Sequence, residues 1–375
     1  MQLAVFQEHS PECRVALTPA ALPLLLKAGW QVLVQSGAGQ AAGFDNNDYL
    51  AKGARIVDEL EELYAADVLL RVRVTHDFDR ARLRAGQILI GLFDPLGSPE
   101  TARQLAGSGA TCFALELIPR TTRAQSMDVL SSMATVAGYR AVLLAAVHLP
   151  KMFPMLMTAA GTITPAKLFV LGAGVAGLQA IASARRLGAV VQAYDVRPAC
   201  REQVESLGGK FVELGLESAE AEDKSGYAKA LGDDFTRRQQ AALGKIVAES
   251  DVVISTAAIP GQKSPVLITP EAVEQMRYGS VIVDLAAERG GNCPLTQADR
   301  TTIINGVTIL GPTNLPAEIP HDASLMFANN VTKFLLNMFP KGQQEVNYAD
   351  DIVQATLVTK GGDVVQPRVR LALGM

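Results

Sequence analysis

The chain is short of the residues that build metal and disulfide sites. Its 375 residues include only four cysteines and four histidines. Cys13, Cys112, Cys200 and Cys293 stand far apart, with no CxxC pair and no adjacent histidine. That spacing excludes a disulfide framework or a zinc knuckle and suits a reducing compartment, so no metal site is expected. His9, His76, His148 and His321 fall in no glycine- or carboxylate-rich motif, and each reads as an ordinary surface or core residue. Excess basic charge is missing too: a formal charge of −4 gives no positive field for nucleic acid or anionic lipid. Long hydrophobic runs are also absent, although mean hydropathy is slightly positive at +0.18. The longest uncharged runs, Leu168–Ala184 and Thr301–Ala317, fall short of the ~20 residues a membrane-spanning helix needs. The N-terminus, MQLAVFQEHSPECRVALTP, acquires acidic residues too early for a signal peptide. A soluble, cytoplasmic chain is expected, with its apolar residues lining parallel strands buried on both faces.

What is present is βα repetition, over a length that predicts two domains. Strands are expected at Gln2–Phe6, Gln31–Val34, Asp67–Val72 and Gln87–Leu92, with helices at Pro19–Ala28, Asp58–Tyr64 and Pro99–Ala106. Met133–Leu149 reads as a long apolar helix. A second series follows, with strands at Val190–Asp195, Asp251–Thr256, Ser280–Leu285 and Val307–Leu310 and helices at Pro198–Ser206 and Pro270–Met276. The polar stretch Glu217–Gln240 reads as a lid or as a solvated helical excursion. Asp322–Met338 is an amphipathic helix, and Ala355–Val364 a hairpin about Gly361-Gly362. The expected fold class is α/β: two Rossmann-like, doubly wound parallel-sheet domains joined by long helices, with a C-terminal β-hairpin tail. The expected domains are residues 1–132 with 320–375, and 133–319.

Lys167–Asp195, KLFVLGAGVAGLQAIASARRLGAVVQAYD, carries a dinucleotide fingerprint in full context. Gly172 permits the tight turn after the strand, Gly174 lets backbone approach a pyrophosphate, and Gly177 lets the helix pack close to the sheet. The helix beginning at Val175 and Ala176 directs its open N–H groups at that pyrophosphate. Asp195, 18 residues past Gly177, is placed to accept both hydroxyls of an adenosine ribose, which favours NAD(H) over NADP(H). Arg197 is the dissenting residue, because an arginine beside the ribose can accept a 2′-phosphate. A second glycine-rich turn, Ser36–Gly43, mimics the fingerprint, but Phe44-Asp-Asn-Asn-Asp-Tyr is no apolar helix start and a plain turn is expected there.

Pro119–Ser132, PRTTRAQSMDVLSS, crowds Arg120, Arg123, Gln125, Asp128 and Ser131 between two apolar stretches. Such a loop could hold the carboxamide and ribose of a nicotinamide nucleotide; a hydrogen-bonded loop leading into a helix is the other reading. These motifs, together with RVALTP (Arg14–Pro19), TAAGT (Thr158–Thr162), YDVR (Tyr194–Arg197), IPG (Ile259–Gly261) and DLAAERGGNCPL (Asp284–Leu295), resemble one family. They are similar to the NAD(H)-binding component, domain I, of the proton-translocating NAD(P) transhydrogenases, within the alanine dehydrogenase/transhydrogenase family. The resemblance implies that Arg120, Gln125 and Asp128 form the loop at the hydride-transfer site. It implies that Arg120, Asp128 and Ser131 orient the nicotinamide, and that Gln125 reaches toward NADP(H) on a partner. Tyr227, in Ser-Gly-Tyr-Ala-Lys, would close over the bound nucleotide. A homodimer is implied as well, docked on an NADP(H)-binding beta subunit and on membrane-spanning subunits, peripheral on the inner face of the cell membrane. Tyr194 and Ile259-Pro-Gly-Gln-Lys depart modestly from the family pattern.

Hydride passing directly between two nicotinamides needs no acid or base at the reacting carbons, only two rings held close with water excluded. The scarcity of histidine fits that chemistry. Alanine dehydrogenase, the nearest alternative, needs a proton acceptor. Where that family has a histidine this chain has Phe93-Asp94-Pro95, and Arg71 or Arg73 stands where it has a lysine. A non-catalytic NAD-binding module is the third reading.

Overall fold

A computed structural model describes residues 1–74, 78–215, 233–258, 263–340 and 343–375. The chain divides into two compact units, Met1–Met133 with Pro316–Met375, and Ala134–Leu315.

The first unit holds an eight-stranded sheet. Numbered along the chain, its strands are β1 (Gln2–Val5), β2 (Gln31–Gln35), β3 (Arg55–Val57), β4 (Val68–Arg73), β5 (Ile88–Leu92) and β6 (Thr111–Ala114), joined by the C-terminal β16 (Leu357–Lys360) and β17 (Asp363–Val364). The order is β17-β16-β6-β5-β4-β1-β2-β3. All pairs from β3 to β6 are parallel, whereas β16 and β17 run antiparallel. The C-terminal hairpin therefore extends the sheet instead of hanging from it. Gly361 and Gly362, at φ +60° and +91°, take the left-handed backbone that its tight turn demands.

In the second unit the strands are a short hairpin, β7 (Leu156–Thr158) and β8 (Gly161–Ile163), then β9 (Lys167–Leu171), β10 (Val190–Tyr194), β11 (Lys210–Phe211), β12 (Val252–Ser255), β13 (Val281–Asp284), β14 (Thr301–Ile304) and β15 (Val307–Leu310). Seven of them form a sheet in the order β11-β10-β9-β12-β13-β15-β14, parallel except for β14. Alternate residues of β9 serve opposite faces. Leu168 and Val170 pack with Ala180, Ile181 and Ala184 of the helix Val175–Arg186. Phe169 and Leu171 pack with Leu243 and Val247 of the helix Asp233–Glu249. Helices on both faces explain why these strands read as unbroken apolar runs. The order reverses between β9 and β12, and in such sheets ligands bind at the carboxyl ends of the strands beside that reversal.

Several elements escaped the sequence reading. β3, β6, β11 and β14 are short, and the β7–β8 hairpin lies in a stretch read only as Pro/Gly punctuation. The segment after the Ser36–Gly43 turn does start a helix, Asn46–Ala51, which Asp45 and Asp48 close with a reciprocal capping box. The turn itself is filled by protein, since a Cβ on Gly39 would lie 2.7 Å from Tyr49 Oη. The helix Val129–His148, with mean hydropathy of 1.5, is by length and composition apolar enough to cross a membrane; counting uncharged runs hid it because Arg140 divides it. Its Ala141, Val142 and Ala145 are fully buried in the core of the second unit.

Candidate functional site

The glycine turn after β9 is shaped by close approaches on every side but one. Gly172 sits at φ +94°, and a Cβ there would meet Thr256 Oγ1 at 2.7 Å. The Thr256 hydroxyl donates to the carbonyls of Leu171 (3.2 Å) and Gly172 (3.0 Å), tying the end of β12 to the turn. A Cβ on Gly177 would fall 1.9 Å from Gly172 O, so the helix starts hard against the turn. One on Gly138 would fall 2.1 Å from Ala176 O, so the helix Val129–His148 presses on the same first turn. Gly174 is the exception. Its φ of −77° and ψ of −169° suit any residue, and nothing lies within 4 Å of its would-be Cβ. No side chain caps the helix that it starts, which leaves the first-turn amides of Val175, Ala176 and Gly177 for an anion.

Asp195 follows β10 and is only 5% exposed. Its Oδ2 accepts Ala173 N at 2.8 Å and Arg197 Nη2 at 2.9 Å; Oδ1 accepts Arg197 N and Nε, both at 2.9 Å. Burial alone would raise its pKa, but the Arg197 bonds and charge, with the backbone N–H groups, outweigh it and hold the carboxyl below its ordinary range. Beside it, Tyr194 Oη accepts Gln239 Nε2 at 3.1 Å.

The DLAAERGGN segment is braced from within. Asp284, fully buried, accepts Ser255 Oγ (2.9 Å), Ala286 N (3.1 Å), Cys293 N (3.1 Å) and Thr296 Oγ1 (2.8 Å). Asn292, also fully buried, donates to Ala257 O and Pro265 O at 2.8 Å and accepts Ala257 N at 3.2 Å.

In the first unit, the polar loop leaves β6 and runs into the helix Val129–His148. Arg120 and Gln125 are exposed, and Asp128 is half-buried. Asp128 caps the helix, accepting Ser131 N at 2.9 Å and Ser131 Oγ at 2.5 Å. Arg123 anchors the loop: its Nη1 meets Asp350 Oδ2 at 2.6 Å and Asn337 Oδ1 at 3.1 Å, and Nη2 pairs with Asp351. Buried Asn330 donates to Ser126 O at 2.9 Å. The structure thus brings Asp128 and Ser131 together, and in the other unit Gly172, Gly174, Val175, Ala176, Gly177, Asp195 and Arg197. Tyr227 and Ile259–Gly261 lie outside the described residues.

Glu116, just beyond β6, is a site the sequence did not announce. Its Oε1 accepts the N–H groups of Phe93 (2.8 Å) and Asp94, while Oε2 is buried without a partner. Burial pushes its pKa up to about 7. Arg71 is buried, paired with Glu8 at 3.1 Å and lying over the Phe6 and Phe78 rings. Thr256, Gly138, Arg123, Asn330 and Asn292 were also missed. Only Gly138, a lone glycine inside an apolar helix, gave a signal.

Residues 4–137 match the family described as alanine dehydrogenase/PNT, N-terminal domain, and residues 141–367 match its C-terminal domain. The chain belongs to the alanine dehydrogenase/PNT family. Within this family it is 43% identical to the first portion of the NAD(P) transhydrogenase alpha subunit of Rhodospirillum rubrum, a separate chain there, over 98% of each. It is 32% identical to the alanine dehydrogenase of Halomonas elongata, over 100% of this chain and 97% of that one. A transhydrogenase structure from Sinorhizobium meliloti superposes with a TM-score of 0.88 at 44% identity, covering 97% of this chain and 100% of that chain. An L-alanine dehydrogenase structure gives 0.84 at 26% identity, covering 100% and 99%. The fold is the Rossmann-like α/β architecture of these relatives.

Proposed function

We propose that the chain is the NAD(H)-binding component of a proton-translocating NAD(P) transhydrogenase, in which hydride passes directly between NAD(H) held here and NADP(H) held by a partner subunit. One observation carries the nucleotide assignment. Gly174 is a glycine that neither its backbone angles nor any protein neighbour requires, at the uncapped start of a helix, where a pyrophosphate would need bare backbone. Gly172, Val175, Ala176 and Gly177 would hold the pyrophosphate, and Asp195 the adenosine ribose. Arg120, Asp128 and Ser131 would orient the nicotinamide, Gln125 would reach the partner's nucleotide, and Tyr227 would close over the site. The nucleotide, when bound, supplies a hydride at its nicotinamide ring. The chain's role is to hold that ring at about 3–3.5 Å from its acceptor and to exclude water. No histidine occurs in the loop Pro119–Ser132 or in the fingerprint, which suits a transfer that moves no proton. The partners would be an NADP(H)-binding beta subunit and membrane-spanning subunits, with this component on the cytoplasmic face.

The β7–β8 hairpin supports a homodimer. Its strands pair only with each other, and a lone two-stranded hairpin is marginal in water. Met152–Ala166 contains no charged residue, and Met155 and Met157 are 59% and 78% exposed. A second copy, necessarily of identical charge, can approach such a surface without repulsion.

The test mixes the chain with a soluble NADP(H)-binding transhydrogenase component, NADPH and an NAD⁺ analogue. Rapid reduction of the analogue, with no turnover of alanine or pyruvate, is expected. Turnover of alanine with NAD⁺ and none in the mixture would replace this reading by the alanine dehydrogenase one.

A further inference from the structure

The carboxylate meant for the ribose is already fully subscribed. An ionised carboxylate offers about four lone-pair directions, and four N–H groups point at Asp195 within 2.9 Å. Two of them, Ala173 N and Arg197 N, belong to the main chain and are fixed by the glycine turn and the end of β10. The other two, Nε and Nη2, belong to one guanidinium, whose side chain is 16% exposed against 5% for the carboxylate beneath it. A ribose diol reaching Asp195 meets Arg197 first.

We infer that the Arg197 side chain is a latch over the ribose subsite, which must swing off Asp195 before the two ribose hydroxyls can bond to it. The inference rests on the reading of the chain as an NAD(H)-binding component and names what regulates that same site. Two consequences follow. Closed latches lower the apparent affinity for NADH by the fraction of chains in which the latch is open. The displaced guanidinium, still tethered two residues from Asp195, stands beside the ribose as a positive charge and softens the rejection of a 2′-phosphate that Asp195 alone would impose. Arg197 therefore makes the subsite both weaker for NADH and less selective against NADPH.

The test is calorimetric titration of the full chain with NADH and with NADPH, for the wild type, Arg197→Ala and Arg197→Met. The methionine retains the aliphatic packing, and circular dichroism confirms that each variant is folded. Both variants should bind NADH about three- to tenfold more tightly, the scale of a charge-assisted bond that no longer has to break. NADPH should weaken, raising the NADH-to-NADPH affinity ratio by about tenfold or more. In stopped-flow mixing, the wild-type association rate should level off at high NADH, limited by latch opening, and that plateau should disappear in both variants. Weaker NADH binding in the folded variants would make Arg197 a direct nucleotide contact and overturn the latch. Unchanged affinity would overturn it equally, by showing that the guanidinium never has to leave. A wild type that binds no NADH would instead defeat the underlying functional reading, an outcome visible before any variant is compared.

Discussion

Two neighbouring glycines should respond in opposite ways to the same methyl group. In Gly177→Ala the new Cβ would lie 1.9 Å from Gly172 O and 2.9 Å from its carbonyl carbon. Ordinary contact needs about 3.5 Å, so the 1.9 Å approach forces the helix start to retreat by roughly 1.6 Å. Overpacking of this kind costs about 1–3 kcal/mol, and the gain in helix propensity returns about 1 kcal/mol; a net loss of about 1–2 kcal/mol is expected. The retreat also carries the helix amides off the pyrophosphate, where a misplacement of about 1 Å can cost a hundredfold. Gly174→Ala places its methyl in open space, with nothing within 4 Å and an unstrained φ of −77°. Its thermal stability should be unchanged or slightly raised, since alanine restricts the unfolded chain, whereas NADH affinity should fall by about tenfold or more because the methyl occupies the pyrophosphate's approach. Thermal denaturation and calorimetric titration of both variants read these quantities separately. Wild-type affinity in Gly174→Ala would refute the placement of the nucleotide. An unchanged melting temperature in Gly177→Ala would refute the packing argument.

Glu116 makes stability depend on pH in an unusual direction. Its carboxyl, raised from 4.5 to about 7, favours the folded state fully below pH 4.5 and loses that advantage as pH rises through about 7, up to about 3 kcal/mol from the size of the shift. Glu116→Gln keeps an acceptor for Phe93 N and Asp94 N, so its melting temperature should fall less than that of the wild type between pH 5 and 8.5; parallel curves would count against this. Arg123→Ala breaks an anchor whose side chain is 47% exposed, so stability should change by under about 1 kcal/mol. Hydride transfer in the mixing assay should nonetheless slow about tenfold, because the loop loses its orientation, with NADH affinity unaltered; equal losses in rate and affinity would assign Arg123 to binding. Asn292→Ala strands the Ala257 and Pro265 groups it now satisfies and should cost about 2–4 kcal/mol in denaturant unfolding.

The fold class was legible because its signals are local and redundant. β9 announces itself by four consecutive buried residues, the following turn by its glycine spacing, and the helix Pro99–Ala106 by proline at its first position. Short strands such as β3 and β6 were missed because three or four residues carry too little pattern, and their strand character comes from pairing with β2 and β5. At the site, sequence spacing singles out the glycines and Asp195 but not what holds them. Thr256 lies 84 residues from the carbonyl that it bonds, and Arg123 lies 227 from Asp350; no local periodicity encodes such partners. The occupation of Asp195 by Arg197 was equally invisible, since two residues of separation do not say whether an arginine faces inward or toward solvent.

The first unit repeats the strand order of the second, with its own reversal between β1 and β4, the place where a doubly wound sheet would seat a ligand. There the seat is stoppered. Glu8, just past β1, accepts Val72 N at 2.7 Å and grips Arg71 of β4, and the pair is sealed beneath two phenylalanine rings. A fold that could in principle carry two dinucleotides has spent one berth on internal neutralisation, so titration should saturate at a single equivalent of NADH per polypeptide.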